Sequence, residues 1–461
     1  MKTAVIRSSW MEGYGYRLDC SPYLGGALET KILLEQLPLR KDKLKEVTTG
    51  IYHAGRESRH WVESPEYGVP FISGSDLQKA DLSDLPLISK RQVAKTPQFT
   101  IRSGYTLITR SGTIGKMAYA RRDMDGMACS EHVLRVVPDT DQIPSGYLYA
   151  YLSSKFGVPL VVSGTYGSII QGIEPEHIAG LPVPRLGDAL EHEIHTLVEQ
   201  AAELRTKASL EINETTSSLR EFLGLPRLTH TSVCGFGVSS VLSAELNWRL
   251  DATYHSPAAV EADEALRRCS ISVRQLADVT KRLFKPPMFK RLWVEDAREG
   301  VQFVSGNDAY KFAADDVRYV SSRTPNFKEF IVREGWLVFQ AAGRIYGLFA
   351  RPLFVHGWLN GLFVADDMYR VVPNEPEDGA YLFAFFRTDV GQVLIKRQSA
   401  GNSIPRVWDP QMTQLLVPWP EKPDRQRYGA QIISAHEKLF RALKNDERAV
   451  RLVEEAIERR G

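Results

Sequence analysis

Residues 188–223 contain no glycine or proline, and the first of each to follow are Gly224 and Pro226. Within this stretch apolar or small residues recur in steps of four and three: Leu190, Ile194, Leu197, Ala201, Leu204 and Ala208. After one extra step of four the pattern resumes at Ile212, Thr215, Leu219 and Phe222. This spacing predicts a helix with a narrow coiled-coil seam and one stutter, about 54 Å long. A seam that narrow needs a partner helix. Residues 425–457 offer one, stepping the same way through Tyr428, Ile432, Ala435, Leu439, Ala442, Ala449, Val453 and Ala456, with Asp446 as the single charged intrusion. The layout this predicts is globule, helix, globule, helix, with the two helices paired antiparallel.

The globules read as short strands with one helix each. Residues 69–73, 105–109 and 133–137 are β-rich runs, and so are 301–305, 336–340 and 368–372. Residues 147–156 and 381–390 read as helices with an aromatic face (Tyr147 and Tyr151; Tyr381 and Phe385) that packs in a core, each stopped by Gly157 or Gly391. The two sets are copies. Arg17-Leu-Asp19 with Tyr23 returns as Arg249-Leu-Asp251 with Tyr254. Gly68-Val-Pro-Phe-Ile-Ser-Gly-Ser-Asp-Leu77 returns as Gly300-Val-Gln-Phe-Val-Ser-Gly-Asn-Asp-Ala309, with six of ten positions identical. Arg102-Ser-Gly-Tyr-Thr-Leu-Ile108 pairs with Arg333-Glu-Gly-Trp-Leu-Val-Phe339, and Gly112-Thr-Ile-Gly-Lys116 with Gly343-Arg-Ile-Tyr-Gly347. Leu134-Arg-Val-Val-Pro138 pairs with Tyr369-Arg-Val-Val-Pro373, and Leu181-Pro-Val-Pro184 with Leu415-Leu-Val-Pro418. Offsets stay between 231 and 235, so the chain is a long-period tandem repeat. The expected division is 1–187, 188–227, 228–420 and 421–461: two mixed α/β domains, each followed by a coiled-coil helix.

Composition narrows the function. No run of 18 apolar residues predicts a membrane span, and the first ten residues hold no apolar signal core, so a cytoplasmic protein is expected. Four scattered cysteines fit reduced thiols better than zinc or disulfides. The net charge of +2 hides a division: residues 188–227 carry 4 basic and 8 acidic side chains, whereas 1–187 carry 22 and 19. A bulk electrostatic nucleic-acid binder is not indicated, but a local basic face is compatible.

Enzyme signatures fail one by one. Asn/Asp-Pro-Pro-Tyr/Phe is missing, since Pro286-Pro287 follows Lys285 and precedes Met288. Gly112-Thr-Ile-Gly-Lys116 has Arg110 where a phosphate loop needs glycine and Met117 where it needs Ser/Thr, so a strand-to-strand turn is expected. Glu29-Thr-Lys31 lacks a suitable preceding acid apart from Asp19, and His192 and His195 belong to no metal-binding set. What remains is a pair of modules whose matched positions hold the fold and whose differing positions are polar loops. In the first copy these give Arg56, Arg59, Arg110, Lys116, Thr165, Tyr166, Ser168 and Gln171. In the second they give Lys285, Lys290, Arg291, Arg344, Arg397, Gln398, Asn402 and Arg406. Such side chains read base edges and hold phosphates.

The duplicated Gly-Val-Pro-Phe-Ile-Ser-Gly-Ser-Asp stretch, Arg102 through Lys116, and Ile178-Ala-Gly-Leu-Pro-Val-Pro184 leading into a long helix together resemble the specificity subunits of type I restriction-modification systems. The resemblance covers almost the whole chain. It implies two target-recognition domains, each reading half of a split duplex DNA sequence, with an antiparallel coiled coil that fixes the gap and docks two DNA adenine methyltransferase subunits. Those partners would bind S-adenosylmethionine and flip the adenine. A motor-endonuclease subunit using ATP and Mg²⁺ can join them, leaving this chain non-catalytic and without a cofactor. The second copy departs in lacking the Gly-Lys ending of its turn. The alternative reading is a non-catalytic scaffold or regulator in a related phage-defence system that does not itself read DNA.

Overall fold

The computed structural model describes the chain apart from residues 1–2, 4, 13–20, 165–171, 229–237, 239, 244–245, 247–248, 315–316, 346, 402–403, 408 and 461. It divides into two compact units, residues 1–206 with 441–461 and residues 207–440. The division therefore falls inside both long helices rather than at their ends. Each helix buries one half of its apolar face in each unit's core.

The first unit holds two four-stranded sheets. In one, Thr48–Tyr52, Val133–Pro138, Thr106–Thr109 and Met117–Tyr119 lie side by side, all antiparallel. In the other, Trp61–Val62, Leu87–Ser89, Gly68–Ile72 and Ala128–Cys129 do so, the last pair parallel. The second unit repeats both orders with Thr280–Phe284, Met368–Pro373, Leu337–Gln340 and Pro352–Phe354, and with Trp293–Val294, Tyr319–Ser321, Gly300–Val304 and Phe363–Val364. Even the register shift recurs, between Thr48 and Gly50 and between Thr280 and Arg282. Gly112-Thr-Ile-Gly-Lys116 joins two antiparallel strands, as a strand-to-strand turn should.

Matched sequence positions turn out to be fasteners. Tyr147 and Tyr381 are fully buried on the helices Ser145–Ser153 and Pro376–Arg387, and their hydroxyls donate to the carbonyls of Pro184 and Pro418. The closing Leu-x-Val-Pro segments are thereby tied to the core, which also satisfies the phenol OH. Asp76 and Asp308 anchor the Ser-Gly-x-Asp turns, held by Lys79 at 2.5 Å and Lys311 at 2.7 Å.

Gly157 and Gly391 do not stop the aromatic helices, as the sequence suggested. Those helices end at Ser153 and Arg387, and each glycine lies in the first turn of a second helix, Gly157–Ser163 or Asp389–Arg397. Thr388 caps the second of these helices and Ser154 lies just ahead of the first, each hydroxyl accepting from the glycine N–H at 3.1 Å. The glycine lets the second helix press on the end of the first. A Cβ would collide with the carbonyl of Tyr151 in one unit and of Phe385 in the other.

The long helices are Asp188–Phe222 and Lys422–Glu458. A buried line on the first runs through Glu191, Ile194, Val198, Ala201, Arg205, Ala208, Ile212, Thr215 and Leu219, with Ala202 buried beside it. This is an unbroken 3–4 alternation with no stutter. Leu190, Leu197 and Leu204 of the expected seam are only partly buried, flanking it. Choosing the leucines over Val198 and Arg205 created the apparent break. On the second helix Tyr428, Ile432, Ala435, Ala442, Ala449 and Val453 are buried and Leu439 partly so. Asp446 fills the heptad place between Ala442 and Ala449, and its carboxylate accepts from Arg205 at 2.6 Å. Burial pushes the Asp446 carboxyl up, opposed by Arg205. No helix among the described residues is long and apolar enough to cross a membrane.

Two outcomes are expected. Replacing Arg205 by Leu or Asp446 by Ile alone strands a buried charge and costs about 3–5 kcal/mol, whereas the double replacement is close to neutral. Urea unfolding of the three variants checks this, and additive losses would contradict it. Gly157→Ala and Gly391→Ala each cost more than about 2 kcal/mol through overpacking against main chain, read as a lowered thermal midpoint against Gly180→Ala, where a Cβ meets nothing.

Candidate nucleic-acid interface

In the first unit two of the predicted cations meet in one hydrogen-bonded chain. Arg110, at the end of strand Thr106–Thr109, donates through Nε to the Ile173 carbonyl at 2.9 Å and through Nη1 to the Glu131 carbonyl at 3.4 Å. Its Nη2 is ion-paired with Glu174. Glu174 also meets His53 Nε2 at 3.0 Å, while His53 Nδ1 faces the Ala54 carbonyl at 2.7 Å. Both ring nitrogens thus face oxygen atoms. Arg59 donates to Glu131 at 2.8 Å. His132 lies 3.3 Å from the same carboxylate and 2.6 Å from the Ser111 hydroxyl. Burial raises the Glu131 carboxyl, but Arg59 and a main-chain N–H outweigh it and leave it below the usual carboxylate range. The cluster therefore sets two guanidinium groups against two carboxylates.

Of the other first-copy candidates, Arg56 is exposed and Lys116 half-buried at the hairpin, its N–H donating to Thr109 Oγ1 at 2.9 Å. Thr165, Tyr166, Ser168 and Gln171 lie outside the described residues.

In the second unit Lys285, Lys290 and Arg291 lie between strands Thr280–Phe284 and Trp293–Val294, Lys285 half-buried and the other two exposed. Arg344 is exposed in the turn after Leu337–Gln340. Arg406 is half-buried on a two-residue strand whose bridge to Ala342 matches the bridge between Gly172 and Ser111. Arg397 and Gln398 are half-buried and engaged within the unit. Arg397 is ion-paired with Asp263 at 2.9 Å, donates to the Tyr254 carbonyl and stacks 4.2 Å from that ring. The Gln398 side chain donates to the Leu394 carbonyl, and its main-chain carbonyl accepts from Arg249. Asn402 lies outside the described residues.

One repeated device escaped the sequence reading. Arg59 lies 5.0 Å over Phe71, and Trp61 meets the same ring edge-on at 5.3 Å. Arg291, Phe303 and Trp293 repeat this at 5.3 Å and 5.3 Å. Both tryptophans are about half exposed, at 50% and 43%. In the second unit Arg318 also lies 4.8 Å over Trp293, and an arginine on an aromatic shelf beside a half-exposed indole suits sugar-phosphate and base contact alike. The pairing was legible: Arg59 and Trp61 share the 232-residue offset of the neighbouring Gly68 motif. A cavity of about 590 Å³ in the first unit, lined by Tyr119, Arg121, Ser145, His195 and Glu199 among others, includes no candidate residue.

Neither a protein-family model nor a curated protein matches the chain. Solved structures do. The chain is similar to S subunits of type I restriction-modification systems. The S subunit from M. genitalium is 11% identical over 92% of this chain and 96% of that one, with a TM-score of 0.38. The HsdS subunit from Thermoanaerobacter tengcongensis is 12% identical over 92% and 97%, with a TM-score of 0.29. A chain from a structure of type I complex assembly and conformational transition is 12% identical over 92% and 98%, with a TM-score of 0.28.

The geometry separates two arginines that composition cannot. Arg397→Ala is expected to lower the thermal midpoint and leave sequence choice in DNA binding unchanged. Arg406→Ala is expected to leave the midpoint within a degree or two and weaken binding by about 1–3 kcal/mol. Melting curves and titrations with duplex DNA on both variants check the pair.

Proposed function

We propose that the chain is the DNA-specificity subunit of a type I restriction-modification complex, non-catalytic, with each unit reading one half of a split duplex sequence. The observation that carries this reading is a constant frame with changed side chains. The sheets, the buried tyrosines, the Ser-Gly-x-Asp turns and the Arg-Phe-Trp shelf recur in both units. On the shared ladder, by contrast, Arg110, Ser111 and Gly172 give way to Ala341, Ala342 and Arg406. Such a pattern suits two heads on one scaffold that recognise different sequences.

The long helices would set the spacing. At about 1.5 Å per residue, 35 residues reach about 52 Å, the length of roughly 15 base pairs. The acidic surplus of residues 188–227 fits protein better than phosphate, and we assign that face to the methyltransferase subunits. S-adenosylmethionine, and ATP with Mg²⁺ for a motor subunit, belong to those partners in the cytoplasm.

The test is methylome sequencing of cells that express the chain with its methyltransferase partner. A bipartite methylated motif is expected, with one half replaced when residues 228–420 are exchanged for those of another copy. A continuous motif, or one the exchange leaves unchanged, refutes the reading. The near-neutral charge and the carboxylate partners of Arg59 and Arg110 favour a second reading, a scaffold that does not read DNA. That alternative requires a flat salt response of the assembled complex on DNA, where a reader loses affinity steeply.

A further inference from the structure

We propose that Glu174, rather than the arginine beside it, is the base-reading residue of the first unit, and that it selects a cytosine in the half-site. The inference rests on the DNA-specificity reading above. Arg110 is the obvious reader by residue type, but its guanidinium is already distributed over the Ile173 carbonyl, the Glu131 carbonyl and Glu174, and its side chain is only 14% exposed. Glu174 is more open, at 26%; Arg110 meets its Oε1 and His53 its Oε2, and each carboxylate oxygen can accept a second hydrogen bond. It also starts the short helix Pro175–Ala179, its N–H donating to His177 Nδ1 at 3.1 Å. Arg110 and His53 are therefore positioning residues, and the carboxylate is the group they present.

The chemistry of that group restricts what it meets. An ionised carboxylate accepts hydrogen bonds and donates none, and it is repelled by phosphate. In the major groove its matching partner is an exocyclic amino group, with cytosine N4 the usual choice for Glu. The Arg110 guanidinium paired with it keeps the charge from opposing DNA as a whole. Among the described residues the second unit differs on the same ladder, with Ala341 at the Arg110 place and Arg406 at the Gly172 place. Its cation suits guanine or phosphate, so the two halves of the target should differ in kind at this position.

Glu174→Gln tests this in the full chain assembled with its methyltransferase partner, using selection from a randomised duplex DNA library followed by sequencing. Gln keeps the size and one acceptor but adds a donor, and it favours adenine. The expected result is at least a tenfold loss of preference for cytosine at one position of the first unit's half-site, with adenine gaining there. The other half-site, identified by exchanging residues 228–420, should not change. A motif left intact, with affinity shifted equally for all sequences, overturns the proposal and reduces Glu174 to a support for Arg110. Thermal midpoints of the variant and of Glu174→Ala show whether a loss comes from folding, and Gln restoring the midpoint but not the cytosine preference separates the roles. If the unaltered complex shows no sequence preference at all, the specificity reading fails, and this inference with it. If it discriminates and the Gln variant discriminates identically, only this inference fails.

Discussion

A guanidinium buried without a carboxylate to bind is the constraint on which each unit is built. Arg135 and Arg370 are fully buried on the central strands. Arg135 donates to the carbonyls of Phe99, Cys129, Ser130 and Val133, and Arg370 to those of Val364, Ala365 and Met368. Burial pulls the Arg370 pKa down to about 9, against the pull of Asp366 and Glu329, which still leaves the group charged near neutrality. Several oriented peptide dipoles replace water around the charge, so the loop that supplies them has little freedom to move. In the first unit that loop carries Glu131 and His132, and in the second Asp366 and Asp367. The invariant arginine in the core thus fixes the place where the variable side chains begin.

On the proposed reading, this division of labour lets a nearly neutral protein carry a recognition surface. Uncompensated arginines bind any phosphate, and their affinity brings little sequence preference. Pairing Arg59 with Glu131 and Arg110 with Glu174 removes much of that indiscriminate attraction and fixes side chains that would otherwise be mobile. The second unit follows another course. Arg291 keeps the aromatic shelf and is exposed, and the ladder cation has moved to Arg406 on the opposite strand. The frame is common to both, and the electrostatic style is not.

The repeat was legible because it is written in residues that serve the frame: glycines at close approaches, Asp in turns, Arg in the core, tyrosines tied to proline carbonyls. Helix existence was legible from periodicity, and the seam less so. Leu197 and Leu204 are the more hydrophobic letters, but Val198 and Arg205 are the ones on the buried line. Gly157 and Gly391 looked like stops because glycine often ends helices, yet Ser154 and Thr388 three residues earlier accept their N–H groups at helix starts. The polar cluster was the least legible part. Residue type favoured Arg110, whereas Glu131, Glu174 and His53 acquire meaning only when residues 53, 110, 131 and 174 come together in space.

The seam carries one charged pair between the two helices, Arg205 with Asp446. By the repeat offset of 234, Arg205 corresponds to Leu439 and Asp446 to Ile212, so the second unit places two aliphatic residues where the first places an ion pair. Two antiparallel helices with evenly spaced small and aliphatic residues could slip by a heptad at modest cost. Slipping here would bring Asp446 against Val198 or Ile212 and leave both buried charges without partners, a loss of several kcal/mol. The pair contributes little net stability where it is, but it makes every neighbouring register worse. In these helices the Arg205–Asp446 pair fixes register more than it adds stability.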